Sequence, residues 1–312
     1  MKKDWMKFFE KSIMSKIGIA IVNYNGNADT LALLESIKNL SVPKNHEVFS
    51  VVVDNNSEKS LDLSSFTNCF SYQLEQNLGF TGGYNFAAKK AIENGAEWIF
   101  VINNDTTFPD KNILIELLKY SNSNTIIAPK IYYYPGFEYH HDRYQKSDLG
   151  HVFWWAGGWF DWKSVMGRHR GVDEVDSGQY DNESTTDLVS GCAFLISASL
   201  WEKIGGFEQD LFAYFEDVDW NFRAKNLGAN LMFCPHTFIF HKVSQTTGMA
   251  SPFTDFYLTR NRLIIGFRYG YLRIKLALMK EACKQLLFGR PAQKKGIIGF
   301  FTFKITHFFA FK

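Results

Sequence analysis

The sequence predicts an α/β protein built around a mostly parallel central sheet with helices on both faces. Through residue 121, short apolar runs alternate with segments of helical period, the pattern of strands joined by crossover helices. The best runs are apolar throughout rather than on alternate residues, as strands buried on both faces require. With 46% hydrophobic residues in a chain of 312, there is enough apolar material for one large core, with or without an appendage.

Lys16 to Val22 is an apolar run stopped by Asn23-Tyr24-Asn25-Gly26, which reads as a buried strand and a turn. Asn27 caps a helix to about Asn39, with Leu31, Leu34 and Ile37 facing inward. Val48 to Val53 is a second strand, running into Asp54-Asn55-Asn56-Ser57, and Phe70 to Leu74 is a short third. A glycine-rich turn over residues 77–85 opens a helix to about Asn94. Trp98 to Ile102 is a fourth strand, followed by Asn103-Asn104-Asp105 and a helix from Asp110 to about Ser121. Residues 135–187, rich in Gly, Trp, Tyr and Asp, have little period and read as an irregular or hairpin insertion. Strands resume at Gly191 to Ile196 and within Asn230 to His241.

Several function classes drop out. Cys69, Cys192, Cys234 and Cys283 are scattered without a CxxC pair, so neither a zinc site nor a disulfide framework is expected, and a reducing cytoplasm is the default address. No signal peptide and no apolar stretch of about 18 residues is evident, so no spanning helix is expected. The glycine turn at 79–83 lacks a P-loop Lys-Ser/Thr and follows the third strand rather than the first, which excludes both the ATPase and the dinucleotide fingerprints.

Chemistry concentrates in two places. Three strand ends carry Asn23-Tyr24-Asn25, Asp54-Asn55-Asn56 and Asn103-Asn104-Asp105, where an open α/β sheet binds ligand. Each alone is an ordinary turn, since Asn and Asp tolerate positive φ; three at equivalent ends point to a binding crevice. The second place is Glu216, Asp217 and Asp219 at the start of a helix whose apolar stripe is Phe215, Val218 and Phe222. Helix capping accounts for one acid there. Asp219 pairs with Arg223 one turn on, along the surface, which leaves Glu216 and Asp217 without a local partner and favours a catalytic carboxylate.

The set Val-Asn-Tyr-Asn-Gly (22–26), Val-Asp-Asn-Asn-Ser (53–57), Asn-Leu-Gly-Phe-Thr-Gly-Gly-Tyr-Asn (77–85), Asn-Asn-Asp (103–105), Gly-Gln-Tyr-Asp (178–181), Ser-Gly-Cys-Ala-Phe-Leu-Ile (190–196) and Gly-Gly-Phe…Phe-Glu-Asp-Val-Asp-Trp (205–220) resembles glycosyltransferase family 2, and within it the bacterial rhamnosyltransferase-like branch. The resemblance runs in order over residues 16 to 260. It implies a GT-A nucleotide-sugar-binding fold and inverting transfer from a nucleoside-diphosphate sugar, dTDP-rhamnose or a UDP sugar, with Mg2+ or Mn2+ as cofactor. It puts the base at Asp217, with Glu216 orienting it or touching the acceptor. Asp54 would read the pyrimidine, with Asn23, Tyr24 and Asn25 in the same pocket; Gly79, Gly82 and Gly83 would let the backbone approach the nucleotide, and Asn77 and Asn85 would fix that turn. The family's Asp-x-Asp stands here as Asn103-Asn104-Asp105, a departure that lowers the site's charge. Asp105 remains as metal ligand, with Asn103 and Asn104 near ribose or phosphate, and His241 is the expected second ligand, His236 facing away. Trp154-Trp155-Ala156-Gly157-Gly158-Trp159 either borders the sugar or packs on the sheet, and Lys242, Arg260 and Arg262 are either phosphate contacts or solvated.

The chain divides into an N-terminal extension (1–15), a catalytic domain (16–250) and a C-terminal basic amphipathic helical tail (251–312). Twelve of the 34 Lys and Arg residues but one acid, Glu281, lie from Arg260 to Lys312, among Tyr271, Leu272, Leu276, Leu278, Phe288, Phe300 and Phe301. Apolar burial and charge attraction together suit an anionic membrane surface through residues 260–312, better than nucleic acid, which needs no aliphatic register; a homo-oligomer contact is the third possibility. The expected acceptor is a glycan or lipid-linked glycan of a surface polysaccharide, met by an enzyme peripheral on the inner face of the cell membrane. The alternatives are the same chemistry with galactofuranose, glucose or N-acetylglucosamine, and a catalytically decayed nucleotide-sugar-binding scaffold.

Overall fold

The computed structural model describes residues 14–243 and 251–310; most of the expected N-terminal extension lies outside them. In chain order the elements are β1 (Ser15–Asn23), α1 (Asn27–Lys38), β2 (His46–Asp54), β3 (Cys69–Gln73), α2 (Gly79–Glu93), β4 (Trp98–Ile102), β5 (Thr106–Thr107), α3 (Ile113–Lys119) and β6 (Thr125–Tyr133). Then come β7 (Phe153–Trp155), β8 (Gly158–Asp161), β9 (Met166–His169), β10 (Ser184–Thr185), β11 (Ala193–Ser197), α4 (Ala198–Ile204), α5 (Glu216–Asn226) and β12 (Asn230–His241). Three helices follow, α6 (Pro252–Tyr269), α7 (Leu272–Phe288) and α8 (Pro291–Ala310).

The central sheet has the order β10-β12-β6-β11-β4-β1-β2-β3, with β5 added to β12 and β7 to β6. Its longer strands run parallel, β1 with β2 and β4, β2 with β3, and β6 with β12; β11 is the inserted antiparallel strand, between β4 and β6. Ile17, Ile19 and Ile21 of β1, Val51 to Val53 of β2 and Ile99 to Ile102 of β4 are all fully buried, so unbroken apolar runs are what a sheet covered on both faces selects. The small residues Ala87, Ala88 and Ala91 let α2 lie close to β1. On α1 the innermost side chains are Leu33 and Leu34 rather than Leu31, a rotation of about one residue from the expected face. The third helix starts at Ile113, not Asp110, because Asp110 holds the preceding turn through the Asn112 N–H and the Thr237 hydroxyl.

The C-terminal helices are packed onto this body. Leu263, Ile264, Leu278, Ala282, Ile297 and Phe300 close a second core with Val165 and Leu211, and Ile265 joins Leu188, Phe215 and Val218. Arg262 forms a two-pronged ion pair with Glu281 and donates to the Ser164 carbonyl; Arg260 donates to the Asp210 and Leu211 carbonyls. These two arginines therefore fasten α6 rather than offering themselves to a phosphate. Among the described residues, no helix is long and apolar enough to cross a membrane.

Candidate active site

All the parallel strands point their carboxyl ends at one edge of the sheet, and a cleft of about 730 Å³ opens there. Tyr24 after β1, Asn55 after β2, and Asn77 with Gly79 at the start of α2 form one wall. Asn103, Asn104 and Asp105 follow β4 along its floor, and Ser190 to Cys192, ahead of β11, lie beside them. His241 ends β12, and Glu216 and Asp217 open α5 on the other side.

Asp105 and His241 meet because β5 pairs with the end of β12: Thr106 is in register with His241 and Thr107 with Phe240. The His241 Nε2 and an Asp105 carboxylate oxygen stand 3.1 Å apart. Burial alone would raise the Asp105 pKa, but the His241 charge beside it holds the carboxyl below its usual range. Burial opposes charge on His241 too, and Cys192 and Asp105 outweigh it, lifting the imidazole well above an ordinary histidine. Its Nδ1 is buried with no hydrogen-bond partner among the described residues. The Trp154 ring sits between the His241 and His169 imidazoles, 4.6 and 4.5 Å from their centroids. Burial holds the His169 pKa down to about 4, so this ring is neutral near pH 7.

The carboxylates of α5 differ in environment. Glu216 is almost fully buried, one of its oxygens has no hydrogen-bond partner among the described residues, and burial followed by the Asp217 charge raises its pKa to about 8. Asp217 is half-buried at the cleft wall; burial raises it, while the N–H groups of Gly191 and Val218, both donating to its carboxylate, pull it back. Of the two, Glu216 is the one held protonated near pH 7. Asp219 is fully buried and is not the surface partner expected: it accepts from Arg223, Arg268 and Tyr269 at 2.8, 2.6 and 2.8 Å.

Of the residues expected in a binding site, Tyr24, Asn77, Gly79, Asn103, Asn104, Asp105, Glu216, Asp217 and His241 line this cleft. The others stand behind it as braces. Asn23 is buried, bonding Asn27, Thr30 and Ser57; Asn25 accepts from the Glu58 N–H; and the Asp54 carboxylate closes the turn to the Ser57 N–H. Gly82 and Gly83 pack α2 against Leu78 and Val22, and Asn85 bonds both backbone groups of Phe207. Gly79 has φ of 71°, and a Cβ there would lie 2.5 Å from the Phe212 carbonyl, so the close approach of α2 to that loop needs glycine. Of the tryptophans, Trp154 lines the cleft, Trp155 is core and Trp159 is exposed. His236 is turned away, on Glu183, and Lys242 is paired with Asp29.

The sequence reading missed Asn55 and the aromatic rim. Asn55 joins the second strand end to the glycine turn through Asn77, Gly79 and Leu78; its place in Asp54-Asn55-Asn56 was the available signal. Phe212, Tyr214 and Phe253 line the mouth, and no local spacing brings Phe253 next to Phe212.

A family model for glycosyl transferase family 2 matches residues 18–202. The chain is 24% identical over 228 residues to a low-salt glycan biosynthesis hexosyltransferase of Haloferax volcanii, covering 72% of this chain and 66% of that protein. It is 23% identical over 264 residues to the dTDP-rhamnosyl transferase RfbF of Shigella flexneri, covering 80% of each. Among solved structures, GalNAc-T7 with UDP, GalNAc and Mn2+ superposes with a TM-score of 0.65 at 14% identity, over 92% of this chain and 54% of that one. The Pyrobaculum calidifontis mannosyltransferase PcManGT with GDP-Man and Mn2+ gives 0.52 at 13% identity (90% and 72% covered), and S. aureus TarS 1–349 gives 0.51 at 17% (89% and 73%). The chain thus spans just under two thirds of the hexosyltransferase and about half of GalNAc-T7. The structural likenesses show the GT-A fold, and with the family model covering more than half of its length, the chain belongs to glycosyl transferase family 2.

Proposed function

We propose that this protein is an inverting, metal-dependent glycosyltransferase that moves rhamnose from dTDP-rhamnose to a lipid-linked surface-polysaccharide acceptor. The observation that carries the reading is that Asp217 shares one cleft with the Asp105–His241 pair and with the asparagines at the ends of β2 and β4. Inversion is a single displacement at the anomeric carbon, with a base on one side and the departing diphosphate on the other. Asp217, at the cleft wall beside the protonated Glu216, is the base for the acceptor hydroxyl, a role worth about 10²–10⁴-fold. Its raised pKa brings it toward the working pH, which makes proton uptake more favourable.

The donor set at the opposite end fits a hard divalent cation. Asp105 and His241 converge from different elements, with the His241 Nε2 facing the Asp105 carboxylate. Among the described residues no third His, Cys, Asp or Glu joins them, which leaves positions for diphosphate and water, the preference of Mg2+ and Mn2+. Bound there, the cation would neutralise charge developing on the diphosphate. Asn77, Asn103 and Asn104 supply hydrogen bonds for the nucleoside and ribose, Asn55 holds the turn behind them, and Tyr24 supplies a ring for the base. Rhamnose and dTDP are favoured by the relative described as a dTDP-rhamnosyl transferase, which aligns over 80% of the chain.

A membrane-held acceptor is supported by α7. Tyr271, Leu272, Leu276, Leu287 and Phe288 are exposed on or beside it, with Arg273, Lys275, Lys280 and Lys284 on the same helix and Glu281 its single acid. Such a helix lies in an anionic interface rather than through it. The test is release of dTDP or UDP from a panel of nucleotide sugars, with and without Mn2+ and membrane-extracted acceptor. Metal- and acceptor-dependent release from dTDP-rhamnose is expected. Release from another donor alone would replace the sugar, and binding without release from any donor would favour a non-catalytic scaffold.

A further inference from the structure

The turn ahead of the carboxylate pair follows a backbone path that bulky L-residues avoid. Phe212, Tyr214 and Phe215 have φ of 63°, 65° and 67°, three of four consecutive residues, and none is glycine. Such a conformation persists only where its surroundings over-determine it, and it clusters at functional sites. Among those surroundings one side chain of α6 reaches most of the turn's carbonyls. Asn261 is fully buried, and its amide nitrogen lies 2.8 Å from each of the main-chain carbonyls of Leu211, Ala213 and Tyr214, its two hydrogens shared among the three. Arg260 orients that amide, donating from Nε to the Asn261 Oδ1 at 2.9 Å, while its Nη2 reaches the carbonyls of Asp210 and Leu211 at 2.5 and 3.1 Å. Two turns on, Arg268 and Tyr269 hold Asp219. The helix α6 therefore grips the chain on both sides of Glu216 and Asp217.

We propose that Asn261, oriented by Arg260, is a positioning residue: it holds the strained turn at 211–215 and through it sets Asp217 against the cleft. The inference rests on Asp217 as the base, and it makes the C-terminal region part of the catalytic assembly as well as a candidate membrane contact. Asn261 lines no part of the cleft, so its effect passes through the turn alone.

Asn261→Asp keeps the shape and replaces the donors by acceptors facing three carbonyls; Asn261→Ala removes the amide. With Mn2+ and acceptor extract, turnover of dTDP-rhamnose at saturation should fall about 100-fold, the scale of a catalytic group displaced by about 1 Å. The calorimetric affinity for dTDP with Mn2+ should stay within about twofold, since uniform binding is untouched. Amide exchange at 212–217 should rise about tenfold while β1 and β4 amides keep their protection. In Asn261→Ala the acid limb of the rate profile should move to lower pH, because water reaching Asp217 relieves the burial that raises it; a loss of folded enzyme alone would not move it. Should the Asn261 variants fail to fold, Arg260→Leu, which frees the amide to turn and removes the Nη2 contacts to the Asp210 and Leu211 carbonyls, should give the same pattern at smaller amplitude. Unchanged exchange and turnover in a folded variant, or loss of dTDP affinity in step with turnover, would overturn the proposal. A wild-type protein that turns over no dTDP-rhamnose would instead defeat the assigned donor, and exchange at 212–217 would still decide whether Asn261 holds the turn.

Discussion

The Nε2 of His241 and a carboxylate oxygen of Asp105 stand 3.1 Å apart although one ends the last strand and the other follows the fourth. The two-residue strand β5 makes this contact, pairing Thr106 with His241 immediately after Asp105. Each group's charge favours the other's against the cost of burial.

A Mn2+-dependent effect should therefore vanish with either partner. In the wild type, Mn2+ added with UDP or dTDP should raise the unfolding temperature beyond the nucleotide alone, because ligands that bind the folded state stabilise it by mass action. Asp105→Asn and His241→Ala should lose that increment and weaken nucleotide binding in Mn2+ by about tenfold or more, or 1.4 kcal/mol. An increment that survives in both variants would place the metal elsewhere.

Stability should fall as pH rises toward 8, in a way that Glu216→Gln removes. An ordinary glutamate carboxyl titrates at 4.5, and burial raises Glu216 in the folded protein to about 8. Between those values the native state holds a proton that the unfolded chain has released, so each unit of rising pH costs up to about 1.4 kcal/mol. His169, lowered from 6.5 to about 4, acts in the opposite sense below pH 6.5, since there the unfolded chain binds the extra proton. His241, raised well above an ordinary histidine, adds a decline of the same sign above pH 6.5, so from pH 6.5 to 8 the Glu216 contribution is the difference between the wild-type and Glu216→Gln curves. Denaturant melts of wild type and Glu216→Gln across that window check it, and parallel pH curves would refute it.

Much of this was readable from the chain because the parallel strands are buried on both faces. Ile17, Ile19 and Ile21 leave an unbroken apolar run whose polar stop, Asn23-Tyr24-Asn25, marks the binding edge. Glu216 and Asp217 stand out in the sequence as acids without a local partner at a helix start, and Asp105 comes from the resemblance to the family's Asp-x-Asp. What local spacing could not convey is which residue of a polar turn faces the cleft. Asn55 and Asp54 are neighbours, yet Asn55 lines the cleft while Asp54 closes its own turn. Nor does a basic, aromatic C-terminal stretch reveal that Asn261 is buried against the turn ahead of Glu216, because that contact joins segments 47 to 50 residues apart.

This packing also decides how the membrane reading is tested. Truncation at residue 260 would remove Asn261 and the second core along with α7. Substituting the exposed Leu276, Leu287 and Phe288 by Gln instead leaves the core intact. Sedimentation with anionic phosphatidylglycerol vesicles should fall about tenfold or more, given about 0.8 kcal/mol per buried CH2, with no change in melting temperature. Equal sedimentation by the triple variant would remove α7 as the membrane contact.

Everything in the proposed reaction turns on the proton acceptor at the cleft wall, and Asp217→Asn probes it with little change of shape. With Mn2+, acceptor extract and dTDP-rhamnose, the variant should release dTDP about 10²–10⁴-fold more slowly than wild type, while binding dTDP and Mn2+ with unchanged affinity. Wild-type rates of dTDP release by Asp217→Asn would contradict the account.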